Sequence, residues 1–309
     1  MLRKLFSMAM CLLFLLGVLT MTGCNNAQDG SGLAAQEVTP PPTLTAPVPV
    51  PSPTPAPTPG QVPEPLPWPL PPDLLERPPV ILQLTPLTPG EELVVFHTNF
   101  GDIKLRLFPQ AAPNAVKNFV THARNGFYDG LIFHRVIENF MLQGGCAEGT
   151  GRAGESIWGV GFGPEHNYDL WHFRGALAMA QTGAGNSIGS QFYIVHNPHL
   201  DPGFRQEFEL ILERYMDDYW FEDPDGGPGV RFGEAFPREM LEHYLAVGGT
   251  PFLDFPFNPS GPNFGHTVFG HVVEGMEVVD AIAATPTDAG DRPLEDVIIE
   301  RVSIINYQG

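Results

Sequence analysis

An arginine, Arg135, lies in the segment 133–145 (FHRVIENFMLQGG), which is otherwise rich in Phe, Val, Ile and Met. A charge among apolar neighbours is costly unless it is paired or directed at a ligand. A guanidinium stays protonated, and its fork of N–H donors can bind a carbonyl oxygen or stabilise charge that develops during a reaction. Because Gln143 and two glycines close the same segment, we predict a site here and not only a strand.

Two glycine-rich motifs invite other assignments. Residues 149–154 (GTGRAG) have the spacing of a dinucleotide-binding loop, but the following ESIWGVGFG is broken by glycines where that loop requires a helix. Residues 185–189 (GNSIG) fit the elbow of a serine hydrolase, yet the strand-like SQFYIV follows directly. We therefore expect Ser187 on a loop between strands, and neither a nucleotide cofactor nor hydrolase chemistry.

The chain contains 10 histidines, which raises the question of a metal site. His196 and His199 lie near Asp201, but no third ligand has a convincing spacing. The DPDGG motif that begins at Asp223 lacks the ligand series and terminal Glu of a calcium loop. The sequence predicts no metal and no cofactor.

The elements that must position Arg135 are mostly short strands. LVVFHT (93–98) and IKLRLF (103–108) read as a hairpin, because apolar and charged residues alternate in the second run. A helix is predicted after Pro113, with Gly126 as its stop, and a second helix at 276–284. Further strands are predicted at 131–137, 140–143, 175–180, 191–195, 267–272 and 297–305. This pattern favours an antiparallel barrel or sandwich.

Residues 196–263 interrupt this rhythm. Two stretches, FRQEFELILERYMDDYWFEDPDGGPG and FPREMLEHYLAVGG, are acidic and helical in character. We interpret the region as an insertion that gates a groove, contacts a client, or decorates the barrel. Its aromatic residues suit either a docking surface or an ordinary helix packed on itself.

The N-terminus has the pattern of a secretory signal. Arg3 and Lys4 precede an apolar run at 8–19, and residues 21–24 read MTGC, similar to a lipobox with Met21 where leucine is usual. We predict a lipoprotein signal peptide at 1–23 and lipidation of Cys24; an uncleaved membrane anchor is the alternative. Either assignment places the remainder outside the cytoplasmic membrane, with lipid anchoring to the cell membrane under the first.

A proline-rich segment follows, as in TPPPTLTAPVPVPSPTPAPTPG, so residues 24–90 are predicted to form an extended disordered tether and 91–309 a folded domain. The formal net charge of −19 argues against nucleic acid and against electrostatic attachment to anionic lipid. Of the 3 cysteines, only Cys146 lies in the proposed mature body, so no internal disulfide is expected.

Three motifs in order, FHRVIENFMLQGG, GALAMAQTGAGNSIGSQFYIV and HTVFGHVVEGMEVVDAI, closely resemble the cyclophilin-type peptidyl-prolyl isomerases. The resemblance extends from about residue 93 to residue 305, apart from the insertion. It implies a mainly β fold, a closed eight-stranded antiparallel barrel capped by two helices. It also implies catalysis of X-Pro bond rotation, without a cofactor, on proline-containing segments of client proteins.

The resemblance assigns roles residue by residue. Arg135 matches the catalytic arginine, Gln143 and Gln191 match polar residues that hold the peptide and orient the arginine, and His266 matches the histidine that closes the pocket. The remaining matches line the substrate: Phe140, Met141 and Tyr193 as the proline socket, with Ala180 and Gln181 along the preceding peptide residue. The last wall is an aromatic residue followed by leucine; Phe252 and Leu253 are favoured over His199 and Leu200.

Two residues depart from the family pattern. Tyr193 replaces the usual phenylalanine, and its hydroxyl must reach water or a partner. Phe252 lacks an indole N–H donor, which predicts weak cyclosporin binding. We expect a monomeric, extracytoplasmic isomerase that assists folding; a peptide-binding chaperone or adhesion module without turnover is the alternative.

Overall fold

The computed structural model describes residues 80–182, 186–214, 220–221, 230–231, 237–254 and 265–309. The predicted signal peptide, Cys24, most of the tether and the DPDGG motif lie outside these residues. Within them, no helix combines the length and the apolar character needed to cross a membrane.

The described residues form ten strands: β1 (Glu92–Thr98), β2 (Gly101–Leu107), β3 (Arg135–Ile137), β4 (Met141–Gly144), β5 (Ala176–Met179), β6 (Phe192–Val195), β7 (Trp220–Phe221), β8 (Val230–Arg231), β9 (Val268–Glu274) and β10 (Ile299–Asn306). Eight of them form one antiparallel sheet in the order β10-β1-β2-β9-β5-β6-β4-β3, and the short strands β7 and β8 pair separately in the predicted insertion. The sheet forms a half-barrel, which confirms the mainly β, eight-stranded antiparallel part of the prediction.

The β1–β2 hairpin shows why the sequence folds in this way. Ile103 and Leu105 of β2 are fully buried, whereas Asp102 is exposed and Lys104 is partly exposed, as the two-residue period predicts. The predicted strand at 131–137 is shorter than expected, since only its last three residues pair as β3. Its first part instead bonds to the chain at the start of β10, through Phe133 N to Val297 O at 2.9 Å and Ile299 N to Leu131 O at 2.8 Å.

Four α-helices accompany the sheet: α1 (Pro113–Arg124), α2 (Pro202–Arg214), α3 (Arg238–Val247) and α4 (Met276–Ala283). Helices α1 and α4 match the two predicted capping helices. The apolar residues Val116, Phe119 and Ala123 of α1 face the main core, and Gly126 follows with φ +69°. Helix α1 packs on β10, and α4 packs on β2, β3 and β4. The main core therefore lies between the sheet and these helices.

Helices α2 and α3 lie in the predicted insertion and help to build a second apolar core. Phe208 from α2 and Tyr244 from α3 are fully buried there, and the ring of Tyr244 lies against both Phe173 and Phe208. The end of α3 is fixed to the chain before β5, because Thr250 N donates to His172 O at 2.8 Å. The helical character predicted for the insertion is thus confirmed for these two segments.

Candidate active site

The register of three strands brings Arg135 into line with two other predicted site residues. Arg135 of β3 lies opposite Gln143 of β4, and Gln143 lies opposite Tyr193 of β6. Directly opposed residues of antiparallel strands project from the same face of a sheet. Met141 lies two residues before Gln143 and therefore shares that face. This edge of the sheet thus places the guanidinium of Arg135 and the amide of Gln143 next to the side chains of Met141 and Tyr193.

Arg135 is held by a residue that the sequence analysis missed, Asp291. Nε of Arg135 donates to Oδ2 of Asp291 at 3.3 Å, and the two side chains are 35% and 37% exposed. Within the described residues, the two terminal nitrogens of Arg135 make no hydrogen bond. Asp291 has φ +64°, and its carbonyl oxygen accepts from Val136 N at 2.8 Å. The donor fork of Arg135 is therefore available to a ligand.

The two predicted glutamines form a chain of amides beside Arg135. Nε2 of Gln143 donates to Oε1 of Gln191 at 2.9 Å, and Nε2 of Gln191 donates to the carbonyl oxygens of Gly151 and Ala153 at 3.0 and 2.9 Å. These bonds fix the orientation of both amides. In the part of the chain that the structure describes, neither amide bonds to Arg135, so the hydrogen bond expected to orient the arginine comes from Asp291 instead. We refer to Arg135, Gln143, Gln191 and Asp291 as the arginine edge.

Six predicted residues lie together in one apolar cluster beside this edge, which we call the pocket cluster: Phe140, Met141, Ala180, Tyr193, Phe252 and Leu253. Met141 and Tyr193 are buried at 3% and 4% exposure, whereas Phe140 and Phe252 are partly exposed. The rings of Phe140 and Phe252 stack, with centroids 5.8 Å apart. The cluster therefore combines a buried base with apolar rings that reach the surface.

The two alternatives for the last wall are separated in the structure. Phe252 and Leu253 form a short 3-10 turn that packs into the pocket cluster. His199 is exposed, and Leu200 packs into the core of the insertion. The structure brings the favoured pair, and not His199 and Leu200, to the other predicted site residues.

The hydroxyl of Tyr193 has the partner that the sequence analysis required. Oη of Tyr193 lies 2.9 Å from Nε2 of His172, and Nδ1 of His172 lies 2.7 Å from Oδ1 of Asp254. The hydroxyl of Tyr244, on α3, donates to Oδ2 of the same carboxylate. Burial, and next the charge of Asp254, raise the pKa of Tyr193 well above its usual value. This hydroxyl therefore stays protonated. Its bond to His172 satisfies it, so the faces of the Tyr193 ring remain apolar.

His266 lies against the ring of Tyr193, with centroids 5.6 Å apart in an edge-on arrangement. Its Nδ1 is 3.3 Å from the carbonyl oxygen of Met179, and burial is the main cause that lowers its pKa to about 4. The ring is thus neutral near pH 7. Nearby, Nε2 of Gln181 donates to Gly265 O at 2.6 Å, and Ala180 N donates to Gln191 O at 3.0 Å. Ala180 and Gln181 therefore lie between the arginine edge and His266.

The motifs that suggested other chemistry have structural explanations. Oγ of Ser187 donates to Thr182 O at 2.9 Å, on a loop before β6. His196 pairs with Asp280 at 3.1 Å, and burial is the largest cause that lowers its pKa. Among the residues for which coordinates are described, no three His, Cys, Asp or Glu side chains come together to hold a metal ion.

Comparison with known protein families adds an independent line of evidence. The family model described as cyclophilin type peptidyl-prolyl cis-trans isomerase/CLD matches residues 93–209 and 234–304. Two curated relatives, from Staphylococcus aureus (strain USA300) and Staphylococcus epidermidis, are each named "Putative peptidyl-prolyl cis-trans isomerase". Each is 40% identical over 215 residues, covering 70% of this chain and 92% of the relative.

Solved structures of a Cryptosporidium parvum cyclophilin type peptidyl-prolyl cis-trans isomerase are also similar. One covers 70% of this chain and 98% of its own, with 26% identity and a TM-score of 0.48. A second, determined in the presence of the dipeptide Ala-Pro, covers 69% of this chain and 98% of its own at the same identity and TM-score.

Proposed function

The chain belongs to the cyclophilin-type peptidyl-prolyl cis-trans isomerases, and we propose that Arg135 is the catalytic residue with which it accelerates rotation about X-Pro bonds. Amide resonance gives this rotation a barrier of about 18 to 20 kcal/mol. No covalent bond has to form or break. A catalyst needs to bind the twisted amide more tightly than the planar one.

The proposal rests on the hydrogen bonding of the Arg135 side chain. Asp291 holds Nε, while the terminal nitrogens have no partner among the described residues. The strand register places Arg135 opposite Gln143, which in turn lies opposite Tyr193 of the pocket cluster. When the amide twists, resonance is lost and the lone pair localises on the prolyl nitrogen. A donor fork can then bond the substrate carbonyl and approach that nitrogen. The resting protein supplies this fork already oriented, which limits the entropy lost on binding.

We assign the proline ring to the pocket cluster and the peptide backbone to the arginine edge. Phe140 and Phe252 offer partly exposed rings, and the hydroxyl of Tyr193 is bonded to His172 and not to a group in the pocket. The amide of Gln191 is engaged by its bonds, whereas the side-chain oxygen Oε1 of Gln143 accepts no hydrogen bond from the described residues and can accept a backbone N–H of the substrate. The Cryptosporidium parvum protein determined with Ala-Pro supports a proline-containing peptide as the substrate.

We also propose that the sheet closes into a barrel. The backbone bonds between residues 130–133 and 297–299 support closure, because they join the chain beside β3 to the chain beside β10, the two outer strands. Closure predicts that the amide hydrogens of Phe133 and Ile299 exchange with solvent as slowly as those inside the β1–β2 hairpin. Fast exchange at both positions would indicate an open sheet.

The cellular role that we propose is assistance to folding outside the cytoplasmic membrane. The apolar N-terminus, Cys24 and the proline-rich tether support a monomer that is held to the membrane by a lipid and kept at a distance from it. Cys24→Ala should abolish labelling of the protein by a fatty acid. Because this substitution also removes the predicted cleavage site and retains the apolar run at 8–19, labelling is the measurement and fractionation is not. An unchanged chain that takes up no fatty acid would contradict lipid anchoring and favour an uncleaved anchor.

The catalytic assignment is tested by cis-to-trans isomerisation of a short Ala-Pro-Phe-type peptide. Arg135→Ala should lower kcat/KM about 100-fold, because a donor that acts mainly in the transition state is lost. Arg135→Lys keeps the charge without the fork and should recover only a small part of this loss. Circular dichroism should show both variants folded. Turnover of Arg135→Ala within threefold of the unchanged protein would exclude Arg135 as the catalytic residue.

A further inference from the structure

Four buried polar side chains connect insertion helix α3 to the pocket cluster. We call them the buried relay: Tyr193, His172, Asp254 and Tyr244, none of which is more than 4% exposed. They are bonded in that order, at 2.9 Å from Tyr193 to His172 and 2.7 Å from His172 to Asp254, with the hydroxyl of Tyr244 on the second oxygen of Asp254. The relay begins in the pocket cluster and ends in the insertion.

The bonds of the relay have a defined direction. Asp254 accepts from the backbone N of His172 at 2.9 Å as well as from Nδ1 of His172 and from Tyr244, so the carboxylate is satisfied without water. Burial is the main cause that raises the pKa values of Tyr193 and Tyr244. Both hydroxyls therefore stay protonated. In the neutral His172 tautomer whose Nδ1 donates to Asp254, Nε2 is the acceptor for the hydroxyl of Tyr193. Each side chain of the relay therefore depends on its neighbour in the relay for a hydrogen-bond partner.

The relay is also linked to the pocket wall through the backbone. Asp254 directly follows Phe252 and Leu253, and its N donates to Pro251 O at 2.9 Å to close their 3-10 turn. The N of His266 donates to Leu253 O at 3.0 Å. A displacement of Asp254 must therefore shift the two residues that complete the pocket cluster, together with the position of His266.

The insertion fixes the far end of the relay. The ring of Tyr244 packs edge-on against Phe173 with centroids 4.6 Å apart, and also lies against Phe208 of α2 at 5.7 Å. An apolar ring would fill this space equally well, so the hydroxyl contributes mainly its bond to Asp254. Buried polar networks that are fully satisfied hold one geometry, because any alternative leaves a polar group without a partner.

We propose that helix α3 sets the affinity of the site for proline, with His172, Asp254 and Tyr244 as positioning residues for the wall formed by Phe252 and Leu253. This inference rests on the proposed assignment of the proline ring to the pocket cluster. None of the three positioning residues needs to touch the substrate. Arg135 and Asp291 lie outside the relay, so the proposal concerns binding of the peptide and not the rate of rotation once it is bound.

Tyr244→Phe tests this directly, because it removes one hydroxyl and leaves the ring. We would measure isomerisation of a short Ala-Pro peptide by the full chain, together with the Kd of the same peptide. The expected result is a rise of about fivefold in KM and Kd, with kcat within twofold of the unchanged protein. Tyr128→Phe is the matched control. It removes a buried hydroxyl that donates to Ser190 O at 3.1 Å, and it should lower the thermal midpoint without changing KM.

Tyr193→Phe provides a second route and keeps the proposal testable if Tyr244→Phe does not fold. It breaks the other end of the relay and should raise KM to a similar extent. In the double variant, the rise should be smaller than the product of the two single effects, because the first substitution already disrupts the relay. Independent effects that multiply would show that the two residues act separately and would overturn the proposal.

A KM and Kd of Tyr244→Phe within twofold of the unchanged values, in a folded protein, would also overturn it. That result would leave the relay as a purely structural network. Failure of the proposed function is a different outcome, because it appears as absent turnover or a wrong catalytic residue in the unchanged chain and Arg135→Ala. The Kd of the peptide would still decide whether the relay positions the pocket wall.

Discussion

The arginine edge and the buried relay both place polar groups beside the pocket cluster, but they differ in exposure and in partners. Arg135 and Asp291 are about one third exposed and share a single bond of 3.3 Å. Every member of the relay is almost fully buried, and His172 and Asp254 are each bonded on both sides. An exposed ion pair contributes about 0 to 1 kcal/mol, whereas leaving a buried polar group unpaired costs about 1 to 3 kcal/mol.

This difference teaches what each region can do. A weak, exposed pair engages only Nε and leaves the donor fork open to a substrate, which suits a catalytic arginine. A buried and saturated network resists displacement, which suits the support of a pocket wall. Substitutions in the two regions should therefore have different effects. Those in the arginine edge should reduce turnover with little loss of stability. Those in the buried relay should reduce stability or peptide affinity and leave the catalytic step normal.

The largest effect is expected for Asp254→Ala. It leaves the backbone N and Nδ1 of His172 and the hydroxyl of Tyr244 without an acceptor, so the free energy of unfolding should fall by about 3 kcal/mol or more. Equilibrium unfolding in urea measures this. Asp280→Ala is the control, because Asp280 is 44% exposed while it pairs with Arg174 and His196, and its loss should cost about 1 kcal/mol or less. Equal losses would remove the distinction between buried and exposed carboxylates.

The second prediction uses pH to disturb buried histidines. The pKa values of His134, His266 and His271 are lowered to about 4, in each case mainly by burial, from an ordinary value of 6.5. The unfolded chain therefore binds more protons than the folded chain between pH 6.5 and 4. Stability is fully present above pH 6.5 and is lost as the pH falls through this window, by on the order of 1 kcal/mol per histidine at pH 5.

The thermal midpoint should accordingly fall by about 5 °C or more between pH 7.5 and pH 5 at constant ionic strength. The raised pKa of Glu165 acts in the opposite direction and reduces the change. His266→Gln should flatten the slope, whereas His199→Gln, at an exposed position, should not. A midpoint independent of pH in this range would mean that these rings do not remain neutral in the folded protein.

The smallest effect is expected at Asp291, on the exposed side. Asparagine and glycine both tolerate the φ of +64° at this position, so neither substitution should strain the loop. Asp291→Gly removes the acceptor for Nε of Arg135 and should lower kcat/KM about fivefold, mostly through kcat. Asp291→Asn keeps an acceptor and should recover most of the rate. If the glycine variant lost stability instead of rate, Asp291 would be a structural residue of the loop.

Much of the arginine edge and pocket cluster could be predicted from the sequence, because each motif is local. Arg135, Phe140, Met141 and Gln143 lie within nine residues, and the pairing of β3 with β4 places Arg135, Met141 and Gln143 on one face. The preference for Phe252 over His199 was a prediction from sequence order, and the structure brings Phe252 onto Phe140.

Asp291 and the relay could not be predicted in the same way. Asp291 is 156 residues from Arg135, and only the packing of its loop on β3 brings the two together. His172 lies before β5, whereas Tyr244 lies on α3, within the predicted insertion at 196–263 to which the sequence motifs assign no role. The one available signal was the hydroxyl of Tyr193, which required a partner but did not identify it.

The junction between α3 and the pocket wall limits how this protein can change over evolution. Gly248 and Gly249 have φ values of +86° and +136°, and a side chain on them would overlap the carbonyl oxygens of Asn197 and His172. Sequence drift, loop exchange and domain grafting are therefore constrained at residues 248 and 249. An engineer who shortens or replaces the insertion should retain residues 248–254 and choose the new boundary before them.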